Sequence, residues 1–168
     1  MEHLKEKEAA KIIGDLVIKE NDKGDTVLLI IGGLPGSGKT TLAEKIREHY
    51  FCYRSGLLSI NEADRFFEDI SGYHYDNKWI KDAHDYCRGL TAKLLFDKRS
   101  CIVSNTFTCD REIHPYYELA KKANARLVFV RMNTQYEGEH GVPEKAVERM
   151  RNRMAKELTY TPDYIVEP

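Results

Sequence analysis

The sequence lacks the long hydrophobic run that a membrane span needs, because no stretch approaches about 18 consecutive apolar residues. It also lacks an apolar segment near its start: residues 1–11 are rich in charge, which argues against a signal peptide and predicts a cytoplasmic protein. The sequence also lacks an excess of charge of either sign, since 26 Lys and Arg residues are balanced by 27 Asp and Glu residues. This balance removes the electrostatic basis for tight nonspecific nucleic-acid binding, although a local basic patch remains compatible with it.

Cysteine is scarce and unpaired in the sequence. The four cysteines, Cys52, Cys87, Cys101 and Cys109, show no C-x-x-C motif and no spacing typical of metal ligands. Reduced, partly buried thiols are therefore expected, and a disulfide framework is not.

The sequence does contain an alternation of strand-like and helix-like segments. Its length of 168 residues suits one domain with one core, and a single domain over residues 1–168 is predicted. Residues 1–25 are predicted to form an N-terminal helix, over 4–18, and a turn. Strands are predicted at 26–31, 56–60, 101–104 and 127–132, and helices at 40–50, 79–97, 112–124 and 143–158. Pro115 is expected in the first turn of its helix. The alternation predicts an α/β three-layer sandwich, with a mainly parallel sheet between two layers of helices.

The strongest local signal is a glycine-rich loop that matches G-x-x-x-x-G-K-[ST] at every required position. A strand is predicted before it and a helix after it, which makes this the context of a phosphate-binding loop, or P-loop. Backbone N–H groups in such a loop point at phosphate oxygens, and the helix dipole favours the same anion. Lys39 is expected to reach the β- and γ-phosphates of ATP and Thr40 to bind Mg²⁺. The nucleotide-binding residues are predicted to be Gly33, Pro35, Gly36, Ser37, Gly38, Lys39, Thr40 and Thr41.

A second candidate is Asp64, which lies directly after the second predicted strand of the sheet. Ligands of open α/β sheets bind beyond the carboxyl ends of the strands, so Asp64 is placed to take a proton from an acceptor hydroxyl. Aspartate is also a common helix N-cap, and position alone leaves the two interpretations even.

Five separated segments resemble the polynucleotide-kinase-like P-loop proteins, a branch of the P-loop kinases related to zeta-toxin-like kinases. They are the loop 33–41, the Ala-Asp-Arg-Phe-Phe run 63–67, residues 72–76 with 83–84, residues 104–120, and His-Gly-Val-Pro at 140–143 followed by Met150 and Arg153. The resemblance covers roughly residues 27–155. It implies the fold of a P-loop kinase and a catalytic-base role for Asp64, with a lid and following helix at 133–158.

The chain departs from the family pattern at three places. Phe67 occupies the position of an arginine that helps to hold the acceptor. The segment 136–139 reads Tyr-Glu-Gly-Glu where the family lid carries a basic pair, so the lid arginine must come from elsewhere, and Arg149 and Arg153 are the candidates. Ser104-Asn105 stands where some members carry a carboxylate at the end of the third strand.

Several side chains allow two interpretations. Asn105 and Thr106 can bind the acceptor or the γ-phosphate, or cap the next turn. Arg65 and Arg88 are candidate contacts to acceptor phosphates, and Tyr73 or Tyr75 can stack on a base or belong to an apolar flap with Trp79. His84 lies beside an apolar helix face, which favours a packed residue over a catalyst. Arg149, Arg151 and Arg153 alternate along a helix and so cannot all share one face.

The sequence thus predicts an ATP-dependent phosphotransferase that transfers the γ-phosphoryl group to a hydroxyl of a nucleic acid or nucleotide, with ATP and Mg²⁺ as cofactors and no membrane partner. One alternative is a small-molecule kinase acting on a nucleoside, sugar or antibiotic. Another is a non-catalytic nucleotide-dependent switch, which would have no need for an acceptor base such as Asp64.

Overall fold

The computed structural model describes residues 1–54, 56–69, 72–134 and 142–168, without the side chains of residues 69, 73 and 77. Its main sheet is built from strands β1 (Glu2–Lys5), β2 (Thr26–Gly32), β3 (Ser59–Asn61), β6 (Cys101–Asn105), β7 (Ala125–Met132) and β8 (Tyr164–Glu167). The helices are α1 (Glu6–Asp22), α2 (Lys39–Tyr53), α3 (Ile80–Phe96), α4 (Asp110–Ala123) and α5 (Glu144–Glu157). Short 3₁₀ helices span Ala63–Phe67 and Asn77–Trp79, and between them β4 (Glu68–Asp69) pairs with β5 (Gly72–Tyr73) in an antiparallel ribbon.

The six strands of the main sheet are parallel and lie in the order β1-β8-β7-β2-β6-β3. Strand β2 lies inside the sheet between β6 and β7, and all seven of its residues are buried. A continuous apolar run is the pattern of a strand that is covered on both faces, because both sets of alternating side chains then meet helices. The predicted α/β sandwich with helices on both faces is confirmed.

The alternation along β2 divides the core into two layers. Val27, Leu29 and Ile31 pack in one apolar cluster with residues of α1 and α2, such as Ile13 and Ile46. Leu28 and Ile30 point to the other face and pack with residues of α3 and α4. This two-sided packing fixes the point at which β2 leaves the sheet, and with it the start of the glycine-rich loop.

The structure differs from the predicted elements in three places. Residues 2–5 form an edge strand, with helix α1 running from Glu6 to Asp22, where the sequence predicted a helix over 4–18. The strand Tyr164–Glu167 was not predicted, yet it pairs with both β1 and β7. Pro115 lies in the second turn of α4, because that helix begins at Asp110 instead of Glu112.

No helix formed by the described residues is long and apolar enough to cross a membrane.

The packing of α1 gives a test of the fold. Ile13 is fully buried between α1 and the sheet, so Ile13→Ala removes apolar burial and leaves a cavity. We expect the free energy of unfolding, measured by urea denaturation, to fall by about 2–5 kcal/mol. Lys11→Ala changes an exposed residue of the same helix and should alter stability by no more than about 0.5 kcal/mol. Equal effects of the two substitutions would contradict this packing.

Candidate nucleotide site at the carboxyl edge of the sheet

The loop between β2 and α2 has the backbone geometry that its glycines predict. Gly36 and Gly38 adopt φ angles of 76° and 80°, in the left-handed region that glycine occupies without strain. Gly33 is required for space, since a Cβ atom there would lie 2.6 Å from Ser37 Oγ and 2.9 Å from Met132 Cβ. The loop therefore forms a compact turn that ends at the amino terminus of α2, the arrangement that binds phosphate through backbone N–H groups.

Neighbouring strands hold this loop in place. The Gly33 backbone N–H donates to the carbonyl oxygen of Thr106, just after β6, at 3.1 Å. The Thr134 hydroxyl, just after β7, donates to the carbonyl oxygen of Ser37 at 2.5 Å. The Ser37 hydroxyl itself is buried and finds no hydrogen-bond partner among the described residues. The phosphate-binding loop is thus anchored to both strands that flank β2.

Lys39, at the start of α2, folds back over the loop, and its Nζ donates to the Leu34 carbonyl oxygen at 2.8 Å. Burial lowers the pKa of Lys39 to about 8, and the carboxylates of Asp64 and Glu62 partly oppose that shift. Both carboxylates therefore lie close enough to act on the ammonium group. Pro35 lies in the loop and Thr41 in the first turn of α2, where its side chain is exposed.

Thr40 is paired with a carboxylate that sequence reasoning did not single out. The Thr40 hydroxyl donates to Glu62 Oε1 at 2.8 Å, and Arg65 Nε lies 3.3 Å from the other carboxylate oxygen. The only sequence signal for Glu62 was its place directly after β3. The oxygen atoms of a hydroxyl and of a carboxylate are both hard metal ligands, and they fit the preference of Mg²⁺ for oxygen.

Asp64 lies within the 3₁₀ helix Ala63–Phe67, whose N-cap residue is Glu62. The N-cap interpretation of Asp64 is therefore wrong. The Asp64 side chain is exposed and accepts no hydrogen bond from the residues that the structure describes. Its charge acts on Lys39 and also on His84, a half-buried residue of α3 whose pKa is lowered chiefly by burial. Within the described part of the chain, Asp64 is thus a carboxylate without a structural task, set between the phosphate loop and α3.

The two polar residues at the carboxyl end of β6 differ: Asn105, the last residue of the strand, supports the backbone, whereas the hydroxyl of Thr106, the next residue, is available. The Asn105 amide is buried; its Oδ1 accepts from the Ala63 backbone N–H at 2.9 Å, and its Nδ2 donates to Cys87 Sγ at 3.6 Å. As placed, Asn105 supports the backbone next to Asp64 and does not present its amide to a substrate. Thr106 is half-buried beside Gly33, and no described residue hydrogen-bonds to its hydroxyl.

The candidate arginines are mostly engaged by carboxylates. Arg153 lies 3.2 Å from Glu112 Oε1 and donates to Cys109 Sγ at 2.8 Å, which docks α5 against the start of α4. The only hydrogen bond from the Arg149 side chain to the described residues is to the Lys145 carbonyl oxygen of its own helix, at 3.3 Å.

The two arginines proposed for the acceptor differ in their surroundings. Arg65 contacts Glu62 and, at 3.9 Å, Glu44, so it lies beside the phosphate loop. Arg88 pairs with Asp85 on its own helix. The side chain of Tyr73 and the segment 135–141, which includes the first half of the His-Gly-Val-Pro motif, lie outside the described residues.

This loop, at the carboxyl edge of a parallel sheet and opening a helix, defines a P-loop nucleotide-binding protein with a kinase-like fold. Residues 28–158 match the family described as an AAA domain, and the chain belongs to that family. A human relative, NEDD4-binding protein 2, is 29% identical over 149 residues, which cover 82% of this chain. The chain spans only 8% of the length of that relative.

Solved structures share the fold. Kti12 from Chaetomium thermophilum, solved with ADP-AlF3, aligns with a TM-score of 0.59 at 16% identity, covering 83% of this chain and 88% of that chain. A chain of the Pnkp1/Rnl/Hen1 RNA repair complex also aligns with a TM-score of 0.59, at 18% identity, covering 78% of this chain and 44% of that chain. At such identities the likeness concerns the fold, and it confirms the predicted P-loop kinase architecture.

The partly buried position of Lys39 predicts opposite effects of its replacement on stability and on nucleotide binding. Below its folded pKa of about 8 the lysine is charged in both states, so its burial penalty is fully present; the penalty fades as pH rises towards the ordinary pKa of 10.5. Lys39→Met should therefore stabilise the nucleotide-free protein by about 1 kcal/mol at roughly pH 7, with a smaller gain near pH 10. The gain stays this small because the substitution also removes the hydrogen bond to Leu34.

Thermal melts over this pH range measure the first effect, and fluorescent ATP-analogue binding measures the second, which should be lost in Lys39→Met. Lys45→Met, on the same helix, is the matched control. A variant that is less stable than wild type at neutral pH, or that binds nucleotide normally, would overturn this account of Lys39.

Proposed function

We propose that the chain is an ATP-dependent phosphotransferase that transfers the γ-phosphoryl group to a hydroxyl of a nucleic acid or nucleotide. The observation that carries this proposal is the position of Asp64. Its carboxylate follows the strand β3, lies within electrostatic reach of Lys39, and accepts no hydrogen bond from the described residues. A switch or binding module has no need for an acceptor base there, whereas a kinase does.

The phosphate loop supplies most of the stabilisation. Phosphoryl transfer develops charge on the phosphoryl oxygens, and the protein contributes positioning and electrostatic stabilisation more than covalent chemistry. Backbone N–H groups of residues 33–38 and the amino end of α2 act on that charge. The Lys39 ammonium leaves the Leu34 carbonyl to reach the β- and γ-phosphates, and phosphate binding favours its protonated form.

A magnesium ion, when bound with the nucleotide, would neutralise charge on the phosphates, and Thr40 is the residue expected to hold it. Asp64 would orient the acceptor hydroxyl and take its proton, as the new bond to the γ-phosphorus forms and the bond from that phosphorus to the bridging oxygen breaks to release ADP. Arg153 is the better candidate for the lid arginine, because it reaches from α5 to the start of α4, whereas the described partner of Arg149 lies in its own helix.

An open groove of about 340 Å³ lies along the edge strand β3 and is a candidate acceptor site. Its lining includes Arg47, Glu62, Arg65, Tyr86 and Leu90. Tyr86 and Phe66 are both partly exposed, and their ring centroids lie 5.8 Å apart. Exposed aromatic rings beside a basic residue favour a base and phosphate as ligand. The presence of a similar fold in an RNA repair complex also supports a nucleic-acid acceptor.

A small-molecule acceptor is the second candidate, and the state of Arg65 favours it. That guanidinium is already balanced by Glu62 and Glu44, and the family arginine at position 67 is a buried phenylalanine. Little free positive charge is then left for a long polyanion. A nucleoside or sugar would need only hydrogen bonds and stacking in the same groove.

Asp64→Asn tests the catalytic base. The amide keeps the shape of the side chain but cannot take a proton, so we expect turnover to fall by about two to four orders of magnitude. ATP affinity and melting temperature should stay close to wild type, because Asp64 has no structural partner among the described residues. Asp82→Asn, on the exposed start of α3, is the matched control and should retain activity. Unchanged turnover in Asp64→Asn would remove the proposed mechanism.

Salt-titrated binding tests the acceptor. If Arg65 and Arg88 make one or two phosphate contacts, a 5′-hydroxyl oligonucleotide should bind with micromolar or weaker affinity, with a slope of log affinity against log salt of about −0.7 to −1.4. Alanine at either arginine should reduce the slope by about 0.7. Arg99→Ala, at the opposite end of the sheet, should leave the slope unchanged.

An acceptor panel completes this test, with radiolabelled ATP and the Lys39→Met variant as blank. Phosphorylation of a free nucleoside or sugar, together with no oligonucleotide binding at low salt, would place the small-molecule kinase first.

A further inference from the structure

The contact between Thr40 and Glu62 joins two segments that are 22 residues apart in the chain. Thr40 is the threonine of the phosphate-loop motif, and Glu62 is the first residue beyond β3. A threonine hydroxyl has one hydrogen to donate and two lone pairs to offer. Because Glu62 Oε1 accepts the hydrogen, the lone pairs of Thr40 Oγ1 stay available for a cation.

The strand that commonly supplies an acidic residue in P-loop proteins does not supply one here. Such proteins pair the loop Ser or Thr with an aspartate at the end of another strand of the sheet. Strand β6, next to β2, ends in Ser104 and Asn105, and no carboxylate follows before Asp110. The Asn105 amide is committed to the Ala63 backbone and Cys87. Glu62, from β3 on the far side of β6, is the carboxylate that reaches Thr40.

The residues around Glu62 hold it in position. On one side Asn61 Nδ2 donates to the Thr91 hydroxyl at 3.0 Å, a buried bond that ties β3 to α3. On the other side the Ala63 N–H donates to Asn105 Oδ1. Arg65 contacts the second carboxylate oxygen, which leaves Oε1 directed at Thr40. Asn105, at the end of β6, therefore serves the site indirectly, because it fixes the backbone next to Glu62.

We propose that Glu62 is the acidic positioning residue of the divalent-cation site, acting through Thr40 in place of a carboxylate at the end of β6. This inference rests on the proposed function, because it concerns the cation that accompanies the nucleotide. The carboxylate aligns the threonine hydroxyl and adds negative charge where Mg²⁺ binds. Glu62 thereby couples the affinity for nucleotide to the concentration of the cation.

The test measures binding, without turnover. A fluorescent ATP analogue is titrated into wild type, Glu62→Gln and Glu44→Gln, once in EDTA and then over a series of MgCl₂ concentrations. Glu44 is the matched control, because it is also a carboxylate that contacts Arg65 but has no bond to Thr40. Glu62→Gln keeps the shape of the side chain, and circular dichroism establishes that each variant is folded.

We expect Glu62→Gln to raise the Mg²⁺ concentration at half-maximal effect by about 10-fold or more, as for residues that orient metal ligands. Its affinity in EDTA should equal or exceed that of wild type, since one negative charge near the phosphates is gone. Glu44→Gln should follow wild type in both titrations. A parallel titration with Mn²⁺, followed by electron paramagnetic resonance of the free ion, should show the same order of affinities.

The outcomes separate this inference from the proposed function. Wild type that binds no nucleotide would overturn both. Wild type with magnesium-dependent binding that Glu62→Gln leaves unchanged would overturn only the role of Glu62, which would then serve to hold Arg65. An equal loss in Glu44→Gln would also overturn that role, because it would trace the effect to Arg65.

Discussion

The complete burial of β2 is the constraint on which the rest of the site depends. Every residue from Thr26 to Gly32 is enclosed between two layers of helices and two parallel neighbours. The strand can therefore neither shift its register nor extend, and the chain must turn at the carboxyl edge of the sheet. The same register brings Thr106 and Thr134 to the two sides of the loop, where each makes a hydrogen bond to it. The position of the glycine-rich loop thus depends on a hydrophobic core that lies some distance from it.

The sequence predicted those parts of the molecule that local pattern determines. The apolar strand β2, the glycine loop and the helix after it are each encoded within a few residues, and the structure has them where they were expected. The short strands β1 and β8 were missed because four-residue segments with one or two buried side chains carry almost no periodic signal. Glu62 was missed for a different reason, since its task is defined by a threonine that is distant in sequence. The role of Asn105 as a support for Ala63 is likewise visible only in three dimensions.

Electrostatic pairing around the site limits what can bind there. Arg65 and Arg153, two arginines near the candidate machinery, already interact with carboxylates. An anionic ligand must compete with those partners, so part of its attraction is offset by the pairs that it disrupts. Phe67 adds no positive charge here, because its side chain belongs to the core, whereas the resemblance to polynucleotide-kinase-like proteins implies an arginine at this position. Together these features limit the positive charge that the described residues offer for general attraction of anions.

The weak attachment of α5 has a thermodynamic consequence. None of its residues from Glu144 to Glu157 is buried, and Arg153 links it to the body through Glu112 and Cys109. Opening this helix would expose little new apolar surface, so its local free energy of unfolding is only a fraction of the global value. A ligand that draws the helix inward then spends little of its interaction energy on breaking existing contacts. Any order that α5 gained on ligand binding would lower the affinity, because the helix would lose conformational entropy.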